Sequence, residues 1–356
     1  MRRRSFTIFT ETRKAWHSIF QSTLLMMIIG VLYVLAFVEI HPHTVANGLI
    51  IGFIIGFVGS TVETFVFTRR RQRFTFSVLL ALRTLFYLVL VCSTVFWVAV
   101  YHASLMASMT VTETIATPKV EKFLYEGEFL QIVVFALGVS FLVNFIRQVN
   151  RLLGHNALLM FITGKYHQPV EEERIFMFLD LKSSTSIAEK LGNIKYHEFL
   201  NEFFHDISPA IVESKGTIYQ YVGDEVVVTW TKARGLRDAN CIACYFRIAA
   251  AIHLKSDKYE SQFGFLPEFK AGYHYGPVIT GEIGDVKREI VYHGDTVNTA
   301  ARIRSECTTF KKDLLLSGEL LRRLAISEYL SPESIGRIRL RGKEEEVELF
   351  SILEAA

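Results

Sequence analysis

The hydrophobic positions of this chain fall into two regimes. Across residues 19–150 they form long runs of Phe, Leu, Ile and Val, whereas across 165–356 they alternate with polar positions as in a globular domain. Four runs, 20–40, 45–67, 77–100 and 129–147, reach the roughly 20 residues a helix needs to cross a hydrocarbon core. The fourth continues into Phe145–Leu153, where Ile146, Val149, Leu152 and Leu153 keep a three–four spacing. That spacing suits either a dimeric helix pair or a plain tether. Gly154 interrupts the run, Asn156–Phe161 reads helical again, and Gly164 and Pro169 close the stretch. Beyond it, Ile175–Leu179 predicts a strand, and 217–222 with 226–230 predicts a hairpin turning at Gly223-Asp224-Glu225. Next come helix 237–254, strands 269–275 and 289–293, helix 296–305, and strands 313–316, 335–341 and 346–352. The expected architecture is a four-helix transmembrane domain over 1–150, a helical connector over 151–169, and an α+β domain over 170–356 with helices packed on an antiparallel-rich sheet.

Composition sharpens the first half of this picture. Half of the 356 residues are hydrophobic and the net charge is only +3, which argues for membrane topology rather than nucleic-acid binding. Basic residues flank the runs unevenly. Arg2, Arg3, Arg4, Arg13 and Lys14 precede the first; Arg69, Arg70, Arg71 and Arg73 lie between the second and third. The 41–48 loop has no Lys or Arg, and the 102–128 loop has Lys119 and Lys122 among Glu113, Glu121, Glu126 and Glu128. The positive-inside rule then places both termini in the cytoplasm, in a multi-pass protein of the inner or plasma membrane. The first run is too long for a cleaved signal peptide and lacks a small-x-small site. Glu63 and Arg83 fall inside the second and third runs, toward the cytoplasmic side, and are expected either to pair across the bundle or to snorkel. His41, His43 and His102 gather near the outer face as solvated loop groups or, less plainly, metal or haem ligands. Cys241 and Cys244 have no second Cys pair to complete a zinc site and read as core residues of a helix.

The chemistry sits in the second half. Asp180 ends a strand and Asp224 occupies a hairpin tip; on adjacent strands, two carboxylates meet at one sheet edge. Such hard oxygen ligands suit Mg²⁺ or Mn²⁺ rather than zinc. After Asp180 the chain enters Ser183-Ser184-Thr185, a helix start whose free N–H groups suit phosphate oxygens, or simply an N-cap. Asn298 and Arg302 lie four apart on one helix face, an amide and a guanidinium fit for a ribose oxygen and a phosphate gathering charge.

These segments, Phe178-Leu179-Asp180-Leu181-Lys182-Ser183-Ser184-Thr185, Tyr221-Val222-Gly223-Asp224-Glu225 and Gly294–Arg302, resemble in residue and order the catalytic domain of class III adenylate/guanylate cyclases, over about residues 170–353. The resemblance implies a ferredoxin-like core and two metal ions per site on Asp180 and Asp224. It further implies Asn298 as the ribose-orienting residue, Arg302 as the transition-state arginine, and a triphosphate cation from Leu340-Arg341-Gly342-Lys343, either Lys343 or Arg341. Lys287 and Arg288 are further triphosphate candidates, or solvated turn charges. In that family one subunit supplies the aspartates and the other the Asn/Arg pair, so a homodimer with two sites is implied. At the two base-reading positions this chain departs from the family pattern, with Gln220 and Val291. A Gln amide meets adenine or, flipped, guanine, and Val discriminates weakly. The leading expectation is a membrane-bound adenylate cyclase converting ATP to 3′,5′-cyclic AMP and pyrophosphate in intracellular signalling. GTP as substrate and a catalytically silent nucleotide-binding receptor are the alternatives. A diguanylate cyclase would give the Asn298/Arg302 helix no role, and a transporter would leave the globular domain unexplained.

Overall fold

The computed structural model describes residues 2–67, 75–154, 157–325 and 330–354, in two compact units, Met1–Gln148 and Val149–Ala356. In the first unit, α1 (Arg2–Phe37) and α2 (Pro42–Val62) pack backbone against backbone. A Cβ on Gly30 would lie 2.2 Å from the Gly48 carbonyl oxygen, and one on Gly52 would lie 2.4 Å from that of Met26. Small residues permit such approach where no solvent-driven collapse assists it. α2 passes into a π-helical turn, Glu63–Phe67. Then follow α3 (Phe76–Ala107), two short helices α4 (Val111–Ile115) and α5 (Pro118–Tyr125), and α6 (Glu128–Leu153). The stretches long and apolar enough to cross a membrane are Ala15–Phe37, Pro42–Phe67, Ser77–Ala107 and Glu128–Asn150, wider than the apolar runs because helices extend beyond their hydrophobic centres. Glu63 and Arg83 do pair, Arg83 Nη2 lying 2.8 Å from Glu63 Oε1 with both side chains buried, and Arg83 also donates to Gln148. The rings of His41, His43 and His102 stack in a row at 5.2 Å spacings instead of converging, and among the described residues no three ligating side chains form a metal site. Arg69, Arg70, Arg71, Arg73 and Asn156 lie outside the described residues.

The second unit holds α7 (Ala157–Thr163) and then an eight-stranded sheet. β1 (Val170–Leu181) is followed by α8 (Ser184–Leu191), α9 (Asn193–Glu213), β2 (Thr217–Val222), β3 (Glu225–Thr231), α10 (Lys232–Leu236), α11 (Asn240–His253) and α12 (Ser256–Phe263). β4 (Phe269–Ile283), β5 (Glu289–His293), α13 (Asp295–Thr309), β6 (Leu314–Ser317), α14 (Gly318–Leu321), β7 (Leu330–Ile338) and β8 (Val347–Glu354) complete it. The spatial order is β2-β3-β1-β4-β6-β8-β7, with β5 paired to β4; among the described residues only β4 and β6 pair in parallel.

Strand alternation assigns β1 to two cores. Ile175, Met177, Leu179 and Leu181 face a large cluster with Phe199, Phe203, Ile211, Ile248 and Tyr259 of the helices. Phe176 and Phe178 face the other way, onto Val227, Val278 and Ala300 of α13. By the same period of two, Asp180 belongs to the α13 face. Cys241 and Cys244 are fully buried in the large cluster, and burial pushes both thiols up to about 12, as inert core residues require.

Several predicted elements differ in extent; the strand expected over 335–341 is β7, Leu330–Ile338, and the one expected at Ile175–Leu179 is β1, Val170–Leu181. The helix expected over 237–254 is split, since Asp238 and Ala239 take left-handed conformations before α11 begins. The strand expected over 269–275 runs on to Ile283; Gly276 and Pro277 hold register opposite Arg174 and Glu173, although Pro lacks a ladder donor.

Candidate active site

β1 and β3 pair so that Asp180 stands opposite Glu225, and the two-residue loop Gly223–Asp224 closes the β2–β3 hairpin beside them. Gly223 has φ 62°, the left-handed conformation that glycine enters without steric cost. The Asp180 and Asp224 carboxyl groups are close enough to interact electrostatically. Burial lifts Asp180 above the ordinary carboxylate range; Asp224 adds to this, against the pull of Arg304 and Lys270. Glu225 is raised as well, by burial first, with Arg304 opposing and Asp180 reinforcing.

Arg304, on α13, bridges this cluster. Its Nη1 lies 3.1 Å from Asp180 Oδ2 and its Nη2 2.7 Å from Glu225 Oε2. Lys270 Nζ is 3.5 Å from the same Asp180 oxygen and donates to Thr308. The helix comes this close because Gly272 lies beneath it: a Cβ there would sit 2.2 Å from the Arg304 backbone nitrogen. Arg304, Glu225 and Lys270 were not singled out from sequence as site residues. One signal was present. Ala300, Ile303 and Cys307 form the buried stripe of α13, and position 304 shares that face by the i, i+4 rule, so an arginine there calls for a carboxylate partner.

The donor set fits a hard divalent cation: two neighbouring carboxylates, one of them lifted by burial and by the other, gain from a shared positive charge. With no cluster of three ligating side chains among the described residues, further ligands would come from backbone, water or phosphate, as Mg²⁺ sites commonly arrange. Ser183 takes a left-handed conformation (φ 55°) as N-cap of α8 and makes no side-chain cap bond, so the first-turn N–H groups at Ser184 and Thr185 have no capping acceptor from it. Ser184 is half-buried near Tyr196, and Thr185 is exposed.

Of the remaining predicted residues, Asn298 and Arg302 lie on α13, with Lys343 beside Asp295 at its start. Asn298 is exposed; Arg302 is half-buried, its Nη2 3.4 Å from where a Cβ on Gly342 would lie. Lys343 ion-pairs with Asp295 at 2.7 Å. Burial works against the Asp295 charge, yet Lys343 and Thr299 hold its carboxyl below the usual range. Arg341 is exposed. Lys287 is exposed and pairs with Glu289 at 2.6 Å. Gln220 on β2 and Val291 on β5 follow and precede Tyr219 and Tyr292, whose rings meet at 4.9 Å. Among the described residues no hydrogen bond or ion pair joins Asn298 or Arg302 to Asp180 or Asp224.

The family profile for the adenylate and guanylate cyclase catalytic domain matches residues 166–354, more than half of the chain, and the chain belongs to that family, the class III cyclases. It is 37% identical over 223 residues to adenylate cyclase 2 of Rhizobium meliloti (strain 1021), covering 63% of this chain and 61% of that protein. With an adenylate cyclase of Anabaena cylindrica it shares 26% over 186 residues, covering 49% of this chain and 36% of that one. The chain thus spans less than two thirds of these relatives. A solved bacterial light-regulated adenylyl cyclase superposes with a TM-score of 0.51 at 20% identity, over 61% of this chain and 64% of that one, which shows a shared fold.

Proposed function

We propose that this chain is a membrane-bound adenylate cyclase that converts ATP to 3′,5′-cyclic AMP and pyrophosphate at sites formed between two copies of itself. The observation that carries this reading is the placing of Asp180 at the end of β1 beside the hairpin loop that holds Asp224, in a chain of the cyclase family that also carries Asn298, Arg302 and Lys343. Its similarity to an adenylate cyclase over 223 residues supports ATP as substrate. The four apolar helices support residence in a bilayer of the inner or plasma membrane, with both termini cytoplasmic.

Asp180 and Asp224 would hold two divalent cations, Mg²⁺ or Mn²⁺, which would supply Lewis-acid neutralisation of the triphosphate charge. Asn298 orients the ribose so that its 3′-oxygen faces the α-phosphorus, and Arg302 stabilises the charge that builds there as pyrophosphate leaves. Lys343, exchanging Asp295 for the substrate, takes up triphosphate charge, with Arg341 as the neighbouring cation and the Ser184 and Thr185 N–H groups as further donors. Gln220 and Val291 line the base. Because Val291 offers no hydrogen bond and a Gln amide reverses freely, GTP is the second reading, separated by assaying both nucleotides and resolving the cyclic product.

Exchanging Asp180 for Ala should abolish turnover in the full chain with its fold intact; retained activity would refute the metal assignment. Arg302→Ala should also be inactive. Mixing the two inactive chains then tests the shared site. Random pairing makes about half of the dimers mixed, each with one intact site, so about a quarter of wild-type activity should return. No recovery would place each site within one chain.

A further inference from the structure

Arg302 and Arg304 are two positions apart on α13, so at 3.6 residues per turn their side chains leave the helix about 200° apart. Arg302 lies beside Gly342, whereas Arg304 reaches the opposite way, into the carboxylate cluster. We propose that Arg304 is a tethered counter-ion that competes with the divalent cation for Asp180 and thereby sets the metal concentration at which the site fills. This rests on the reading of Asp180 and Asp224 as metal ligands.

Four observations carry it. Arg304 Nη1 sits 3.1 Å from Asp180 Oδ2, on an oxygen a metal would need. The guanidinium has a second anchor, Glu225 Oε2 at 2.7 Å, which does not involve Asp180 and holds Arg304 nearby when Asp180 turns to a metal. Gly272 admits the Arg304 backbone to a distance that excludes any Cβ, so the arginine is delivered by the packing of the helix and not by a wandering side chain. Finally, the charges nearly balance without metal: Asp180, Asp224 and Glu225 are met by Arg304 and by Lys270, 3.5 Å from Asp180. An entering dication must therefore displace a cation already in place, and a planar fork on two carboxylates is a stronger competitor than a single ammonium.

The test is Mn²⁺ binding to the full-length chain in detergent micelles without nucleotide, followed by the electron paramagnetic resonance of free Mn²⁺. Arg304→Gln should bind Mn²⁺ about fivefold to tenfold more tightly than wild type, the scale of one lost charge contact. Asp180→Asn should lose binding. If wild type binds and D180N does not, but R304Q binds no more tightly than wild type, the inference is overturned and the metal reading stands. If wild type fails to bind, or D180N binds as wild type does, both fall. Should R304Q not fold, the wild-type Arg304 Nε–H resonance, assigned by its loss in R304K, supplies the answer: saturating Mg²⁺ should move it, and an unmoved signal overturns the proposal.

Discussion

At the scale of single residues, burial decides what each ionisable group contributes. His274 on β4 is buried with Nδ1 2.7 Å from Ser317 Oγ, and burial lowers its imidazole to about 4, with Glu319, Lys343 and Asp295 as its charged neighbours. An unfolded histidine titrates near 6.5, so as pH falls the unfolded chain takes up this proton first. The stability it contributes is present above about pH 6.5 and is lost on the way down to about 4. Chemical denaturation of the catalytic unit should show about 2 kcal/mol lost between pH 7 and pH 5 from this group, and H274Q should remove that component of the slope. Legibility in the sequence followed a similar division. Asp180 and Asp224 were readable because strand alternation and a turn glycine fix where they sit. Arg304 was only half readable: the stripe of Ala300, Ile303 and Cys307 asks for a carboxylate partner, but which carboxylate depends on the strand the helix lies on, and nothing local names it.

Among the elements, α13 couples the most chemistry, and its seat is a single glycine. Replacing Gly272 with Ala places a methyl 2.2 Å from the Arg304 backbone nitrogen, so the helix must lift. Overpacking of this kind costs about 1–3 kcal/mol, and displacing Asn298 and Arg302 by even a fraction of their reach should lower kcat about tenfold or more. Thermal melting and steady-state assay of G272A check both; an unaltered kcat would mean that the sheet does not set the helix position. The element types over 170–356 were largely visible in the hydrophobic pattern, but their limits were not. Asp238 and Ala239 break a helix through left-handed backbone with no glycine or proline at either position to mark it. β4 continues through Gly276-Pro277 because β1 on one side supplies register there, a tertiary support that no local pattern carries.

At the scale of the molecule, the catalytic unit Val149–Ala356 is compact by itself, with its own cores. It should fold as a separate protein. If its sites need two chains, activity per chain should fall on dilution as dimers dissociate; a constant value down to nanomolar chain would argue against shared sites. The order of strands adds a consequence for biosynthesis. β1, the earliest of these strands in the chain, lies inside the sheet, while the later β7 and β8 form its far end, with Lys343 in the connection between them. Leu340, Val347 and Leu349 close a small core on Ile303 and Cys307 of α13. A nascent chain still on the ribosome therefore carries both aspartates and Asn298 long before it has the segment that seats α13 from behind. If the sites are shared between two chains, activity should wait until the residues past 340 have been made, and a product clipped ahead of residue 340 should be a silent partner that spoils one site in each dimer it enters.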